Sequence, residues 1–260
     1  MKIPIYQVDA FSAKTFGGNP AAVCPLPAWL DDATMQAVAA ENNLAETAYV
    51  VPAGNDGYDI RWFTPTSEVD LCGHATLASA YVIFRHLRPG SDRVTFGSRS
   101  GPLHVSTQDG RIVLDFPALP AAACSAPDGL ADALGAAPQR TLHAKTLLAV
   151  FDDEETVRSL RPDSAALAFV DPHGVIVTAP GKDVDFVSRF FAPNLGVPED
   201  PVTGSAHCTL TPYWSERLGI RSLRARQVSP RGGELWCEMA GNRVLIGGYA
   251  APYLEGTIDV

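Results

Sequence analysis

Two stretches of this sequence resemble each other, and this internal repeat limits the possible folds more than any other feature. The first begins at Phe63 and reads FTPTSEVDLCGHATLASAYVI; the second begins at Phe191 and reads FAPNLGVPEDPVTGSAHCTLTPYW. Each contains Phe-X-Pro, then an acidic turn, then a glycine that opens an apolar, helix-like run. The offset is about half of the chain, which indicates two copies of one structural unit.

The remaining pattern predicts that each unit is of the α+β class, because several strands accompany one long helix in each half. In the first half we predict helices at 31–43 and 74–87, and strands at 3–9, 20–25, 46–52, 58–63, 93–98, 102–107 and 111–116. In the second half we predict helices at 128–135 and 205–218, the latter interrupted by Pro212, and strands at 141–151, 166–170, 174–179, 223–229, 234–239 and 243–249.

Residues 117–128 are rich in proline and alanine and are the predicted linker between the two halves. We therefore predict an N-terminal domain of residues 1–120 and a C-terminal domain of residues 121–260. The last ten or so residues are candidates to return to the first domain.

Composition excludes several classes of partner. Apolar residues make up 46% of the chain, which is enough for a packed core. The net charge of −9 argues against nucleic acid and anionic membranes, since both require a basic surface. We recognise no signal peptide and no apolar run long enough to span a bilayer. The five cysteines are an odd number, widely spaced and without a C-x-x-C pair, which favours free thiols in the cytoplasm.

The two glycines that open the long helices predict a binding site for a small anion. A helix N-terminus has unpaired N–H groups and a partial positive charge, so Gly73-His74 and Gly204-Ser205 could hold one carboxylate if the halves face each other. The alternative is that both glycines only end turns, with Asp200 and Ser205 as helix caps.

Known motifs for other chemistry do not occur in the chain. There is no P-loop and no dinucleotide-binding glycine motif, so we predict no cofactor of those classes. Ser205 lacks the glycine two positions earlier that a G-x-S-x-G nucleophile needs. Cys72 with His74, and His207 with Cys208, do not have the usual spacing of zinc ligands, so we predict no metal.

Four stretches together carry a family resemblance: QVDAFSAKTFGGNPAAVC, ENNLAETAYVV, FTPTSEVDLCGHATLASA and EDPVTGSAHC. They resemble the PhzF-like isomerase family, named for phenazine biosynthesis, which has the diaminopimelate-epimerase-like fold. The resemblance implies two pseudo-symmetric α+β domains, each a β-roll or barrel around a central helix, with the active site between them. It also implies a cofactor-independent, homodimeric isomerase that acts on a small carboxylic acid.

The resemblance assigns roles to seven residues. Glu46 matches the acid–base carboxylate of the family, and His74 and Asp200 match its other catalytic polar residues. The substrate-binding residues that it implies are Asn19, Gly73, Gly204 and Ser205, with the two glycines supplying backbone amides to a substrate carboxylate.

Residue chemistry supports Glu46 in part. A carboxylate at the start of an apolar strand is partly desolvated, which favours its neutral form and lets such a group act as base and acid near neutral pH. The alternative is that Glu46 caps the end of the preceding helix and faces solvent.

Two other functions stay open from the sequence. One is a protein on the same fold that binds a small carboxylate without catalysis. The other is a racemase or epimerase that depends on Cys72, which stands before a glycine as in two-cysteine racemases. Thr203 occupies the matching position in the second half and cannot serve as the second acid, so the sequence favours an isomerisation by one carboxylate. Cys208 is expected in the core.

Overall fold

The structure is a computed structural model that describes residues 1–54 and 57–260. It contains two compact units: Met1–Asp115 together with Gly247–Val260, and Phe116–Ile246. The division lies five residues before the predicted boundary at residue 120, and the segment that returns to the first unit is longer than the predicted ten residues. The predicted linker at 117–128 belongs to the second unit, where Ala122–Ala123 pairs with a strand at Arg140–His143.

The first unit contains two α-helices and a mixed sheet. The helices are α1 (Asp32–Asn42) and α2 (Gly73–Val82), and α2 continues as a π-helical turn over Ile83–Leu87. The strands are β1 (Lys2–Ala10), β2 (Asn19–Pro25), β3 (Glu46–Pro52), β4 (Tyr58–Phe63), β5 (Glu68–Val69), β6 (Arg93–Ser98), β7 (Gly101–Gln108), β8 (Arg111–Pro117) and β18 (Ala250–Asp259).

Pairing in this sheet follows the order β18-β1-β2-β3-β4-β6-β7-β8, with parallel pairs at β2–β3 and β4–β6. Each parallel pair needs a crossover connection, and α1 and α2 supply the two crossovers. Nine of the ten residues of α2 are buried, which identifies it as the central helix of this unit. Its polar side chains are satisfied locally, because Thr76 and Ser79 donate to the carbonyls of Cys72 and Ala75.

The second unit contains four helices and nine strands among the described residues. The helices are α3 (Leu130–Leu134), α4 (Glu154–Ser159), α5 (Ser164–Leu167) and α6 (Gly204–Leu218). The strands are β9 (Ala122–Ala123), β10 (Arg140–His143), β11 (Leu147–Val150), β12 (Val175–Pro180), β13 (Phe186–Ala192), β14 (Val197–Asp200), β15 (Ser222–Gln227), β16 (Gly233–Ala240) and β17 (Arg243–Gly248).

The pairing pattern of the first unit occurs again in the second. An antiparallel pair (β10–β11) leads to a parallel pair (β11–β12), then to an antiparallel pair (β12–β13), a second parallel pair (β13–β15) and a final antiparallel pair (β15–β16). Helix α6 lies in the second crossover, as α2 does in the first unit. The sheet and helices thus confirm the predicted α+β class with a duplicated unit built around one long helix.

Two strand predictions for the second unit were wrong, and other elements were missed. Residues 166–170 were predicted as a strand, but Asp163 caps a helix there by accepting hydrogen bonds from the backbone N–H groups of Ala165 and Ala166. The segment 141–151 is a hairpin, β10 and β11, rather than one strand. Strands β9, β13 and β14 and helix α4 were not predicted.

Pro212 does not interrupt the second long helix, contrary to the prediction. A proline inside a helix removes one N–H and leaves the carbonyl four residues earlier without its helical donor. Here that carbonyl belongs to Cys208, and the backbone N–H of Leu119 donates to it at 2.9 Å. A segment distant in sequence therefore satisfies the group that Pro212 leaves unpaired, and the helix continues to Leu218.

Each unit has its own apolar cluster. In the first unit Met35 and Tyr49 are buried with residues from β1, β2 and α1, and in the second Leu134, Phe151 and Val177 are buried with their neighbours. Burial of each such side chain contributes roughly 1.5–3 kcal/mol, which is how the sheet and its helices are held together. No helix within the described residues is both long and apolar enough to cross a membrane.

Candidate active site

Four of the residues singled out from the sequence lie together in the first unit. Asn19 and Glu46 are the first residues of the parallel strands β2 and β3, Cys72 is the N-cap residue of α2, and His74 is in its first turn. The register places Glu46 opposite Ala21, two residues after Asn19. The starts of two neighbouring strands and of the central helix thus bring these side chains to one place.

His74 is at the centre of this group. Its Nε2 atom lies 3.0 Å from Oε2 of Glu46, and its Nδ1 atom lies 3.1 Å from Nδ2 of Asn19 and 3.5 Å from Sγ of Cys72. Nε2 of His74 and Oε2 of Glu46 are close enough for an ion pair, but neither atom has a hydrogen bond of good geometry within the described residues. The imidazole therefore has polar neighbours on both sides, and Glu46 is one of them.

Burial decides what these groups can do. His74 is 4% exposed, and the Glu46 side chain is 15% exposed although its Oε2 atom is buried. Desolvation acts against the charged form of His74, whereas the contacts with Cys72 and Glu46 act in its favour, and the pKa of His74 lies well above its usual value. Because the Cys72 thiol itself has a raised pKa, Glu46 is the neighbour that can favour the imidazolium near pH 7.

Cys72 is a poor nucleophile or base in this environment. Burial, assisted by the nearby Glu46 carboxylate, raises the pKa of the Cys72 thiol to about 11. The thiolate is the reactive form of cysteine, so this side chain is a neutral thiol near pH 7. This finding disfavours the racemase alternative, which requires Cys72 to remove a carbon-bound proton.

The backbone of α2 begins beside the same group. Its N-cap residue, Cys72, makes no side-chain capping bond, and Gly73 is buried at the first position of the helix. No cap side chain therefore covers the N–H groups of this first turn. The alternative that Glu46 caps the preceding helix is wrong, because that cap is Asn43 and Glu46 faces His74.

The second unit holds the other predicted residues around the start of α6. Asp200 ends β14, and its carboxylate accepts a hydrogen bond from the Thr203 hydroxyl. Thr203 is the N-cap residue and makes no side-chain capping bond. Ser205 is exposed between the buried residues Gly204 and Ala206, and its hydroxyl has no partner among the described residues.

Gln227 and Ser229 fix the loop that carries Asp200, and sequence reasoning missed both. The Gln227 amide accepts from the backbone N–H of Thr203 at 2.9 Å and donates to the carbonyl of Asp200 at 2.7 Å. The Ser229 hydroxyl donates to the carbonyl of Pro201 at 2.7 Å. A single glutamine in a strand has no sequence signature for such a role, so only the fold could reveal it.

His207 also supports this loop. It is completely buried, and burial lowers its pKa to about 4 although it bonds the Thr203 carbonyl, a contact that raises the pKa. The neutral ring donates from Nδ1 to that carbonyl at 2.9 Å. Cys208 is buried beside it, as predicted. Among the described residues, the only group of three potential metal ligands is Glu46, Cys72 and His74, so His207 and Cys208 form no such cluster.

Comparison with known proteins decides the family. The sequence profile of a family described as phenazine biosynthesis-like protein (PhzC-PhzF) matches residues 8–256. The chain belongs to this family. A Pseudomonas aeruginosa member named as an uncharacterized isomerase is 53% identical over 261 residues, and the alignment covers all of both chains. Family membership makes this chain an isomerase of the PhzC-PhzF type.

Solved structures agree with this assignment. A crystal structure of a PhzF-family protein from Enterococcus faecalis has a TM-score of 0.97 and 48% identity, with complete coverage of both chains. A hydroxyproline epimerase from Agrobacterium vitis has a TM-score of 0.62 at 11% identity, covering 99% of this chain and 92% of its own. The second likeness concerns the fold alone, and it confirms the predicted epimerase-like architecture of this PhzC-PhzF family member.

Proposed function

We propose that this isomerase moves a proton within a small unsaturated or cyclic carboxylic acid, with Glu46 as both base and acid. The contact of Glu46 with His74 carries the proposal. The carboxylate lies 3.0 Å from an imidazole whose pKa is raised, so a positive charge beside it can orient it. A positioned carboxylate can act as the general base for a carbon-bound proton.

The two oxygens of Glu46 have different surroundings. Oε2 is buried against His74, so the exposed part of this side chain lies on its other atoms. We therefore assign proton removal to Oε1, while His74 binds Oε2 throughout. A proton taken up on Oε1 stays next to the substrate and can return to a second, conjugated carbon. His74 orients the carboxylate, and a proton on Oε1, the oxygen assigned to the exposed side of Glu46, can exchange with solvent between turnovers.

The first turn of α2 is assigned to the negative charge of the substrate. Its N–H groups at Gly73 and His74 are not covered by a cap side chain and carry the positive end of the helix dipole. They would bind the carboxylate and stabilise the enolate-like charge that develops as the proton leaves. Basic side chains are not needed for this, which is consistent with the net charge of −9.

Asp200, Gly204 and Ser205 are assigned to the substrate from the family resemblance. The exposed Ser205 hydroxyl and the uncapped start of α6 support binding of a carboxylate or hydroxyl group. Asp200 is assigned to a polar substituent of the substrate, such as an amine. Asn19 is assigned to His74 rather than to the substrate, because it is fully buried and its amide faces the imidazole. A homodimer and a location in the cytoplasm also stay proposals from the resemblance.

Deuterium exchange followed by proton NMR tests this function. The purified protein is incubated in D₂O with β,γ-unsaturated and with amino- or hydroxy-substituted cyclic carboxylic acids. We expect deuterium to enter one carbon of at least one acid, and we expect Glu46→Gln to abolish this exchange. Glu41→Gln, a matched change at an exposed position of α1, should leave it unaltered.

Each result has a distinct meaning. Exchange that persists in Glu46→Gln would place the base elsewhere and contradict the proposal. Line broadening of an acid without any exchange would support the carboxylate-binding protein instead. Exchange lost in both variants would point to damage to the fold, which thermal unfolding of each variant would reveal.

A further inference from the structure

Three potential metal ligands converge in the first unit. Glu46, Cys72 and His74 each offer one ligand atom, and these atoms all lie within 4.8 Å of one another. The spacing of Cys72 and His74 in the sequence does not resemble a metal motif. The fold supplies the third ligand by placing the start of β3 next to the start of α2.

The donor set matches one chemical class of ion. A thiolate, an imidazole and a carboxylate are all zinc ligands, and zinc sites with three protein ligands keep a fourth position open. The thiolate selects thiophilic ions over magnesium and calcium, which prefer oxygen ligands. The charges also balance, because the two negative charges of a thiolate and a carboxylate neutralise one divalent ion in a buried place.

The distances allow one ion to bind all three residues. Zinc bonds of about 2.0–2.3 Å hold ligand atoms roughly 3–4 Å apart. Nε2 of His74 and Oε2 of Glu46 are already 3.0 Å apart, and neither has a further hydrogen-bonding partner among the described residues. Sγ of Cys72 lies 3.5 Å from the other ring nitrogen, so the Cys72 or His74 side chain has to turn for the sulfur and Nε2 to bind the same ion.

We propose that Glu46, Cys72 and His74 form a binding site for a thiophilic divalent cation such as Zn²⁺, and that the bound ion inhibits the isomerase. When the ion binds, the thiol proton of Cys72 and the proton of the ligating His74 nitrogen both leave to the buffer, and no redox change occurs. Inhibition rests on the proposed function, because the ion would occupy the carboxylate assigned as the base. Binding itself does not depend on that function.

Direct measurement of metal binding tests the site. The tag-free protein is treated with a chelator, dialysed and titrated with ZnCl₂ by calorimetry, and with CdCl₂ while the ultraviolet thiolate-to-cadmium absorption is recorded. We expect one ion per chain and a cadmium–thiolate band. Cys72→Ser and Glu46→Gln should each weaken binding by at least about tenfold. Cys124→Ser is the matched control, because Cys124 is the exposed cysteine of the chain and its loss should change nothing.

The outcomes separate the metal site from the catalytic proposal. Absence of Zn²⁺ binding, or binding that is equal in Cys72→Ser and in the unaltered protein, would overturn the metal site even if Glu46→Gln abolishes exchange. If Zn²⁺ binds at this site and the rate of deuterium exchange is unchanged, the proposed inhibition is wrong. The same result would contradict the proposal that Glu46 is the base. Thermal unfolding curves show whether each variant is folded, and Cys72→Ala provides a second variant without the thiol if Cys72→Ser is not.

Discussion

Nε2 of His74 lies 3.0 Å from Oε2 of Glu46, although 28 positions separate the two residues in the sequence. His74 is buried and Glu46 is partly exposed, and the pair joins the first turn of the central helix to the first residue of a neighbouring strand. The imidazole thereby fixes the orientation of the carboxylate. This relationship is the basis of the proposed mechanism and of the predictions that follow.

Loss of the His74 ring should lower turnover without unfolding the protein. His74→Gln removes the partner of Oε2, so the Glu46 carboxylate loses both its orientation and its charge balance. We expect the rate of deuterium exchange to fall by about 100-fold or more, the usual lower range for a group that assists proton transfer. His104→Gln, at an exposed position, is the control. A rate within a few-fold of the unaltered protein would show that His74 is not needed by the base.

Asn19 should act through His74 rather than on the substrate. Asn19→Leu keeps a similar size but removes the amide that lies 3.1 Å from Nδ1. A net hydrogen bond contributes about 1 kcal/mol. If its loss raises the activation free energy by that amount, the exchange rate falls by about fivefold, with little change in KM. Nitrogen-15 NMR of the His74 ring should show an altered proton distribution between the two nitrogens. An unchanged ring spectrum together with a large rise in KM would instead indicate contact with the substrate.

Gly18 should be required for the position of Asn19. It has φ +64°, and an added Cβ would collide with the carbonyl oxygen of Ala10. Gly90 also has positive φ, but it has open space around the added atom. We expect Gly90→Ala to cost about 1–2 kcal/mol of backbone strain and Gly18→Ala to cost clearly more, as measured by urea unfolding. Equal losses in the two variants would mean that the collision is relieved by movement of the backbone.

The sequence could predict the class of the fold because the strands and turns follow strong local patterns. The Asp-Gly turn at residues 109–110 and the alternating runs beside it correspond to the hairpin of β7 and β8. The repeat of Phe63 and Phe191 correctly indicated two copies of one unit. Local patterns failed where a contact between residues distant in sequence decides the structure. Pro212 leaves the Cys208 carbonyl without its helical donor, and the backbone N–H of Leu119 donates to that carbonyl instead.

The site was only partly accessible from the sequence. Resemblance selected Glu46 and His74, but their contact depends on the packing of α2 against β3, which no local pattern specifies. The roles of Gln227 and His207 could not be predicted, since each acts by bonding a loop that the fold brings beside it. The sequence left Cys72 open as an alternative base, and only the structure shows that burial raises the pKa of its thiol and keeps it neutral.

Acid should destabilise the protein through His207. Its pKa is lowered to about 4 in the folded state, against 6.5 for the unfolded chain, so the unfolded state binds more protons between these values. This contribution to stability is therefore present above about pH 6.5 and is lost as the pH falls towards 4. The full loss is on the order of 3 kcal/mol.

Urea unfolding at a series of pH values measures this loss. His207→Gln should remove part of the pH dependence, because glutamine does not titrate. His173→Gln, an exposed histidine in the same unit, should preserve it. Identical pH slopes in the unaltered protein and in His207→Gln would contradict the assignment of a neutral, buried His207.

The role of Glu46 as the proton-transferring group is tested most directly by the rate at which deuterium enters the reactive acid. This rate is measured under one set of conditions for the unaltered protein, Glu46→Asp and Glu46→Gln. If Glu46 carries the proton, aspartate should give slow but measurable exchange, because it keeps a carboxylate at a greater distance from the substrate, and glutamine should give none. Equal rates in all three proteins would show that Glu46 does not transfer the proton, provided that thermal unfolding curves show each protein to be folded.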